Sequence, residues 1–215
     1  MGKINTSCGI YEYEPAKLYR GCKQLDRSVS RSNLLDFRQL LNHNQVLFGI
    51  IFGTLLGAVR DGDFISYDDD TDVFILDENR EKILALLFDL RKIGFEVARY
   101  ENSLLSIIRN NDYIDIYFFR KNILGNRVCN GDSLSPKHLE SFGSINFLGV
   151  LFNTPNKYIS FLEKAYGKDW RVAKKNAPAE VKGLLSKIVI LAKRLLPSKV
   201  IILLQQINKY TLKIE

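Results

Sequence analysis

Residues 53–76 read GTLLGAVRDGDFISYDDDTDVFIL, and the way this stretch sets acids beside apolar residues decides how the chain folds. Asp68, Asp69, Asp70 and Asp72 lie almost contiguously. Val73, Phe74, Ile75 and Leu76 follow at once, a β-branched and aromatic run with the character of a buried strand. Side chains alternate along a strand, so Asp70 and Asp72 are expected on one side of it, within reach of one cation. Their mutual repulsion raises the pKa of one carboxyl, and a divalent ion relieves that repulsion with its own charge. Upstream, Val46 to Phe52 is a short apolar run ending at Gly53, which predicts a central strand turning tightly into a helix over Thr54 to Arg60.

Taken alone, DDDTD also suits a solvated acidic turn or a calcium loop. The order of elements separates these readings: a strand, a Gly53-Thr54 turn opening a helix, then a strand bearing Asp-x-Asp. Backbone N–H groups and a hydroxyl at a helix start suit a phosphate, and paired aspartates hold the metal that bridges phosphates. A third acid, Asp115, stands between Ile114 and Ile116 in the apolar run YIDIYFF. A lone charge there needs a partner: the backbone or an arginine can satisfy it, whereas a strand lying beside Asp70 and Asp72 supplies a shared metal, the reading their combination favours.

Working outward, the spacing of Leu34, Leu35, Phe37, Leu40 and Leu41 predicts a helix capped by Ser30 or Ser32 and ending near residues 42–44. A second helix is expected over Arg80 to Ile93, stopped by Gly94. Strands follow at Phe95 to Tyr100, Leu104 to Arg109 and Tyr113 to Phe119, with Asn110-Asn111-Asp112 as a hairpin turn. Lys121 to Leu139 reads as a loop, Phe142 to Phe152 as a hairpin through Gly149, and Asn156 to Tyr166 as a helix terminated by Gly167. The expected fold class is α+β or mixed α/β, a mixed sheet flanked by helices, with the helices read as lying on one side.

The 215 residues, 46% of them hydrophobic, are enough for one domain with a substantial core. Residues 1–28 read as an irregular arm with one short helix, residues 29–178 as the catalytic body and residues 179–215 as a tail. The net charge of +7 belongs to that tail: Lys182, Lys187, Lys193, Arg194, Lys199, Lys209 and Lys213 carry it, and no acid lies between positions 181 and 214. The nearly neutral body gives no reason to expect nucleic acid as a partner. Apolar pairs alternating with these bases, broken by Pro197, fit an amphipathic helix on an anionic membrane surface or a helix packed on protein. Cys8, Cys22 and Cys129 lack metal-ligand or disulfide spacing, and no secretory pattern opens the chain, so a cytoplasmic setting is expected. Gly2 and Thr6 formally match a myristoylation pattern. His43 and His138 have no ligand spacing and are expected to be structural or surface residues; Trp170 and Tyr166 are expected in packing. Lys168, Arg171, Lys174 and Lys175 form a basic cluster that either is solvated or attracts an anionic acceptor.

The stretch GTLLGAVRDGDFISYDDDTDV, with YIDIYFF and NTPNKYISFLEKAYGKDW after it, resembles the LicD family, which includes bacterial phosphocholine transferases, fukutin and fukutin-related protein. The resemblance runs from about Asn44 to Trp170. It implies a nucleotidyltransferase-like fold that transfers a phospho-substituent from a CDP-linked donor to a hydroxyl of a glycan or lipid-linked glycan, with Mg2+ or, alternatively, Mn2+. By position it makes Asp70 and Asp72 metal ligands and Asp115 a third ligand or the general base. Gly53, Thr54 and Arg60 would face the donor phosphates, with Tyr67, Asp68 and Asp69 supporting them. Ser66, Tyr67 and Thr71 depart from the family's usual Trp-Asp-Asp-Asp-Ile-Asp pattern with its preceding Pro, and so does Asp61-Gly62-Asp63 from its basic turn; the donor is therefore open. Two other functions compete: a minimal nucleotidyltransferase releasing pyrophosphate from an NTP, and a non-catalytic metal- or glycan-binding module.

Overall fold

The structure is a computed structural model that describes residues 1–16, 18, 24–130 and 132–173. The expected tail helices, the membrane contact at 181–214 and the cluster members Lys174 and Lys175 lie outside the described residues.

Residues 2–13 of the first segment form a hairpin and not an irregular arm. β1 (Gly2–Thr6) and β2 (Gly9–Tyr13) form an antiparallel hairpin. It buries Ile4 and Tyr11 against the body, where the Tyr11 ring meets Phe88 edge-on at 5.2 Å and carries the Arg91 guanidinium 3.9 Å from its centroid. α1 (Arg27–His43) starts earlier than the serines predict because Asp26 is its cap, accepting from the N–H groups of Ser28 and Val29. Asn33 and Ser30, on its buried face, tie it to the backbone of Arg109 and the carboxylate of Asp112.

The main sheet uses the expected strands with small shifts. β3 (Phe48–Ile50) leads through Ile51 into α2 (Phe52–Arg60), which begins two residues before Thr54. β4 (Thr71–Leu76) is the strand expected after the acids. The next helix is broken: a 3-10 turn over Asp77–Asn79 precedes α3 (Arg80–Ala85), and α4 (Leu87–Lys92) restarts after Leu86. β5 (Glu96–Glu101), β6 (Leu104–Arg109) and β7 (Asp112–Lys121) then run antiparallel in sequence. Asn110 and Asn111 turn the β6–β7 hairpin with φ of 54° and 66°, as a type I′ turn requires.

The expected loop at 121–139 carries structure of its own: β8 (Arg127–Cys129), β9 (Asp132–Leu134) and α5 (Pro136–Leu139). β10 (Phe142–Phe147) and β11 (Val150–Pro155) form the predicted hairpin, and α6 (Tyr158–Tyr166) ends at Gly167 with φ 92°. The strand order is β10-β11-β3-β4-β7-β6-β5, with β8 and β9 extending from the end of β7. Parallel β3–β11 and β4–β7 pairs sit among antiparallel ones, which makes the sheet mixed and the fold α+β.

Helices cover both faces rather than one. Phe48, paired with Ile75, takes Phe37 of α1 on one face. Tyr117, paired with Phe74, takes Phe52 on the other, and Phe161 of α6 packs on Phe52. His138 and Trp170 are buried, as their packing roles predict, and His43 is exposed. Among the described residues no helix is long and apolar enough to cross a membrane.

Candidate active site

The site is built on one row of the sheet. Parallel pairing of β4 with β7 sets Asp72 directly beside Asp115, and antiparallel pairing of β7 with β6 sets Asp115 beside Ser106. Partners in register share a face, so the three polar side chains line up across three strands. Along β7 the same face carries Tyr113 and Tyr117, two residues either side of Asp115. A cleft of about 370 Å³ opens over the row, lined by Asp69, Asp70, Tyr113, Asp115, Tyr117 and the nearby Asn130.

Asp72 is held by the start of α2. Its carboxylate accepts the Gly53 N–H at 2.8 Å and the Tyr117 hydroxyl, while its own N–H donates to Thr54 Oγ1 at 2.8 Å. The positive end of α2 therefore meets a carboxylate. Gly53 has no room for more: an added Cβ would strike the Asp68 carboxylate and lie 3.0 Å from Asp72 Oδ2. Phe52, just before it, adopts φ 44°, a left-handed conformation that is an outlier for a bulky residue. Its ring packs edge-on against Tyr117 at 4.9 Å and tilted on Phe161 at 5.9 Å, contacts that hold the turn.

Asp68, Asp69 and Asp70 form the turn before β4, and their carboxylate oxygens lie within 4.8 Å of one another. Tyr113 donates to Asp69 at 3.3 Å. Burial raises the Asp68 carboxyl to about 6, with the Asp69 charge adding to it and the Asp69 N–H opposing it. Asp70 is pushed well up by burial first and then by the charges of Asp72, Asp115, Asp68 and Asp69. Burial and the charges of Asp68 and Asp115 also raise Asp72, against the Gly53 N–H and Tyr117. The same carboxylates and their own burial push the Tyr113 and Tyr117 hydroxyls up, so both remain donors.

Asp115 does have the arginine partner that is the alternative to a shared metal, together with a serine that the sequence did not single out. Arg99 Nη2 donates to its oxygens at 3.2 and 2.9 Å, and the Ser106 hydroxyl donates to Oδ1. Ser106 had a legible signal, a lone polar residue in LLSIIR, and alternation in YIDIYFF placed both tyrosines on the face of Asp115. Arg99 carried none.

The sequence-derived residues do not all converge. Asp70, Asp72 and Asp115 lie close enough for each to feel the others' charge, but among the described residues only Asp70, with Asp68 and Asp69, belongs to a carboxylate group whose oxygens come within 4.8 Å of one another. Asp68 and Asp69, expected as support, make with Asp70 the tightest carboxylate group among the described residues. Gly53 and the buried Thr54 lie under Asp72 rather than on the cleft wall, so their first task is to position that aspartate. Arg60 stands at the opposite end of α2 from Gly53, about 10 Å along the axis. There Asp61 binds its guanidinium at 2.8 and 2.7 Å and Tyr67 adds a hydrogen bond, so the pair braces the 61–67 loop instead of reaching the cleft.

An all-oxygen, all-carboxylate donor set is the chemistry of a hard divalent ion, and the residues present fit Mg2+ or Mn2+. Residues 46–157 match the family described as LicD/FKTN/FKRP, nucleotidyltransferase domain. The chain belongs to this family. The matched span runs from the strand before α2 through the acidic turn and Asp115 to the end of β11, so the whole row of the site lies within the family's domain.

Among curated relatives, this LicD-family chain is 33% identical over 86 residues to the uncharacterized protein RT0683 of Rickettsia typhi (strain ATCC VR-144 / Wilmington), covering 40% of this chain and 27% of that one. It is 37% identical over 68 residues to the uncharacterized protein RP689 of Rickettsia prowazekii (strain Madrid E), covering 32% and 25%. The match thus spans about a quarter of the length of those relatives. Distant structural likenesses include the lincosamide antibiotic adenylyltransferase LnuA bound to lincomycin (17% identity, TM-score 0.45, 61% of this chain and 83% of that one). ANT(2")-Ia in complex with adenylyl-2"-tobramycin is similar at 12% identity and TM-score 0.43, over 66% and 81%.

Proposed function

We propose that this chain is a divalent-cation-dependent phosphotransferase that moves a phospho-substituent, phosphocholine or a similar group, from a CDP-activated donor to a hydroxyl of a cell-surface glycan or its lipid-linked precursor, releasing CMP. The observation that carries the reading is the Asp72–Asp115 row beside the Asp68–Asp70 turn, with Asp69, Asp70 and Asp115 lining one cleft, in a chain of this family. Asp70, Asp72 and Asp115 hold Mg2+, with Mn2+ as the alternative, and Asp68 and Asp69 complete the acidic wall. When bound, the ion supplies charge that neutralises the donor's diphosphate and orients it for in-line attack.

The chain's residues do the rest. Gly53 and Thr54 keep Asp72 in register, and Tyr117 and Tyr113 donate to Asp72 and Asp69 so that the carboxylates keep fixed directions. Both Asp115 oxygens already accept hydrogen bonds, which suits a fixed ligand better than a group that must take up and release a proton. The acceptor oxygen forms its bond to the phosphorus distal to cytidine, the bond from that phosphorus to CMP breaks, and the acceptor proton passes to a carboxylate of the cleft. Tyr113, Tyr117 and Leu104 wall the cleft.

The test is a panel of CDP donors (choline, ethanolamine, glycerol, ribitol) with Mg2+, read first as a rise in melting temperature and then as CMP release. Pyrophosphate released from an NTP in place of CMP would assign the minimal nucleotidyltransferase activity instead. Mg2+ uptake without turnover of any donor would leave a binding module. The basic segment 181–214 is proposed as a peripheral contact with an anionic membrane at its cytoplasmic face. Flotation with anionic liposomes checks this: a form ending near Pro178 should stay in the soluble fraction while the full chain floats, and equal partitioning overturns it.

A further inference from the structure

The β5–β6 ladder is irregular at one place, and that place serves the site. Glu96 pairs with Ile108 and Val97 with Ile107, but the register then shifts so that Arg99, not Ala98, opposes Ser106. An unshifted ladder would set Arg99 opposite Leu105, on the other face of the sheet from Asp115. The extra residue moves Arg99 onto the face of Ser106 and Asp115, the re-aiming for which bulges beside active sites are known. The bulge is anchored: the carbonyl of its extra residue, Ala98, accepts the Ala16 N–H at 3.0 Å.

The Arg99 guanidinium reaches Ser106 Oγ through Nε at 3.1 Å and Nη2 at 2.9 Å, and the same Nη2 reaches both Asp115 oxygens. The Asp115 side chain is 5% exposed and that of Arg99 16%, so the pair is largely withdrawn from water while Asp115 still lines the cleft. Nη2 bridges both Asp115 oxygens while the Nε–Nη2 edge is set on Ser106 Oγ, so the planar guanidinium and the adjacent hydroxyl together fix the carboxylate in rotation as well as in place.

We infer that Arg99, aimed by the β5 bulge and acting with Ser106, is a positioning residue that orients the Asp115 carboxylate toward the cation. This rests on the proposed cation site. Groups that hydrogen-bond to a metal's ligands commonly change its affinity by about 10- to 100-fold when lost. Removing a positive charge near a cation would strengthen binding, whereas losing the orientation weakens it; Arg99→Lys keeps the charge and removes the planar Nε–Nη2 edge held on Ser106, so it tests orientation at constant charge.

The experiment is Mn2+ titration of the full chain without substrate, followed by the electron paramagnetic resonance signal of free Mn2+, with melting temperature as a fold check. Arg99→Lys and Ser106→Ala should each bind Mn2+ about tenfold or more weakly. In an Asp115→Asn background Arg99→Lys should add little, because both act through one carboxylate. The inference is overturned if both single variants stay within about twofold of the wild type, or if Arg99→Lys costs as much with Asn at 115 as with Asp. A wild-type chain that takes up no Mn2+ overturns the cation site and this inference together, whereas wild-type uptake with unchanged variants overturns this inference alone.

Discussion

Asp72 gathers contacts from α2, from the link before it and from β7: its N–H goes to Thr54, its carbonyl accepts from Ile51, and its carboxylate accepts from Gly53 and Tyr117. Asp72→Asn keeps the size and the acceptor oxygen but loses the charge, so it and Asp70→Asn should abolish CMP release while the melting temperature holds. Turnover that survives either change would remove these residues from the cation site. Gly53→Ala forces a methyl against the Asp68 and Asp72 carboxylates, and overpacking of this kind costs about 1–3 kcal/mol. Urea unfolding should register that loss, and CMP release should fall more than stability does. The acids also set a pH dependence in the metal-free chain. Asp68 titrates at about 6 when folded against an ordinary 3.8. Its raised pKa means that the folded state binds the proton more tightly, so its contribution to stability is fully present below 3.8 and lost as pH rises through about 6. Asp68→Asn mimics the protonated group. With chelator present, its stability relative to wild type should therefore increase between about pH 4 and about pH 8, and Mg2+ should reverse the order. A difference that stays flat across that range would remove Asp68 from the coupled cluster. Tyr113, Tyr117 and Ser106 were readable from strand alternation once Asp115 was chosen; Arg99 was not, because a bulge is a property of the ladder and not of the strand's own residues.

Among elements, the long apolar or alternating strands matched their predicted bounds best. β6 begins and ends where its pattern does, and the β6–β7 turn is the one the paired asparagines demand. Helix starts fared worse. α1 is capped by Asp26, whose carboxylate serves both Ser28 and Val29, and propensity alone could not choose between that acid and the serines at 28, 30 and 32. Asp26→Ala should cost about 1 kcal/mol in urea unfolding with no effect on the cleft, while Ser32→Ala should be neutral. Equal losses from the two would contradict the observed cap. The 121–139 region, read as a loop for its glycines and proline, gains β8 by adding to the far end of β7, an edge that local composition cannot reveal.

At the scale of the molecule, the N-terminal hairpin is part of the body. Tyr11 is 1% exposed, packs on Phe88 and Arg91, and donates to Glu96 on β5. Tyr11→Ala should therefore destabilise the chain by about 3–5 kcal/mol, as a large buried aromatic does, where an irregular arm would lose almost nothing; thermal or urea unfolding decides. The sequence by itself determined the mixed α+β class, the family and the strand after the acids, and it picked out the aspartates on which the proposed site rests, because alternation, turn chemistry and a buried charge are local signals. Only the tertiary structure decided which of those residues meet. Asp72 and Asp115, more than forty positions apart, become neighbours through the parallel register of β4 and β7. The start of α2 spends its first N–H on Asp72, Arg60 is carried to the far end of the same helix, and a one-residue shift in β5 turns Arg99 toward the site. The reason is that a side chain's face and neighbours are set by ladder register and helix length, which depend on every strand in the sheet at once and are written in no single stretch of the chain.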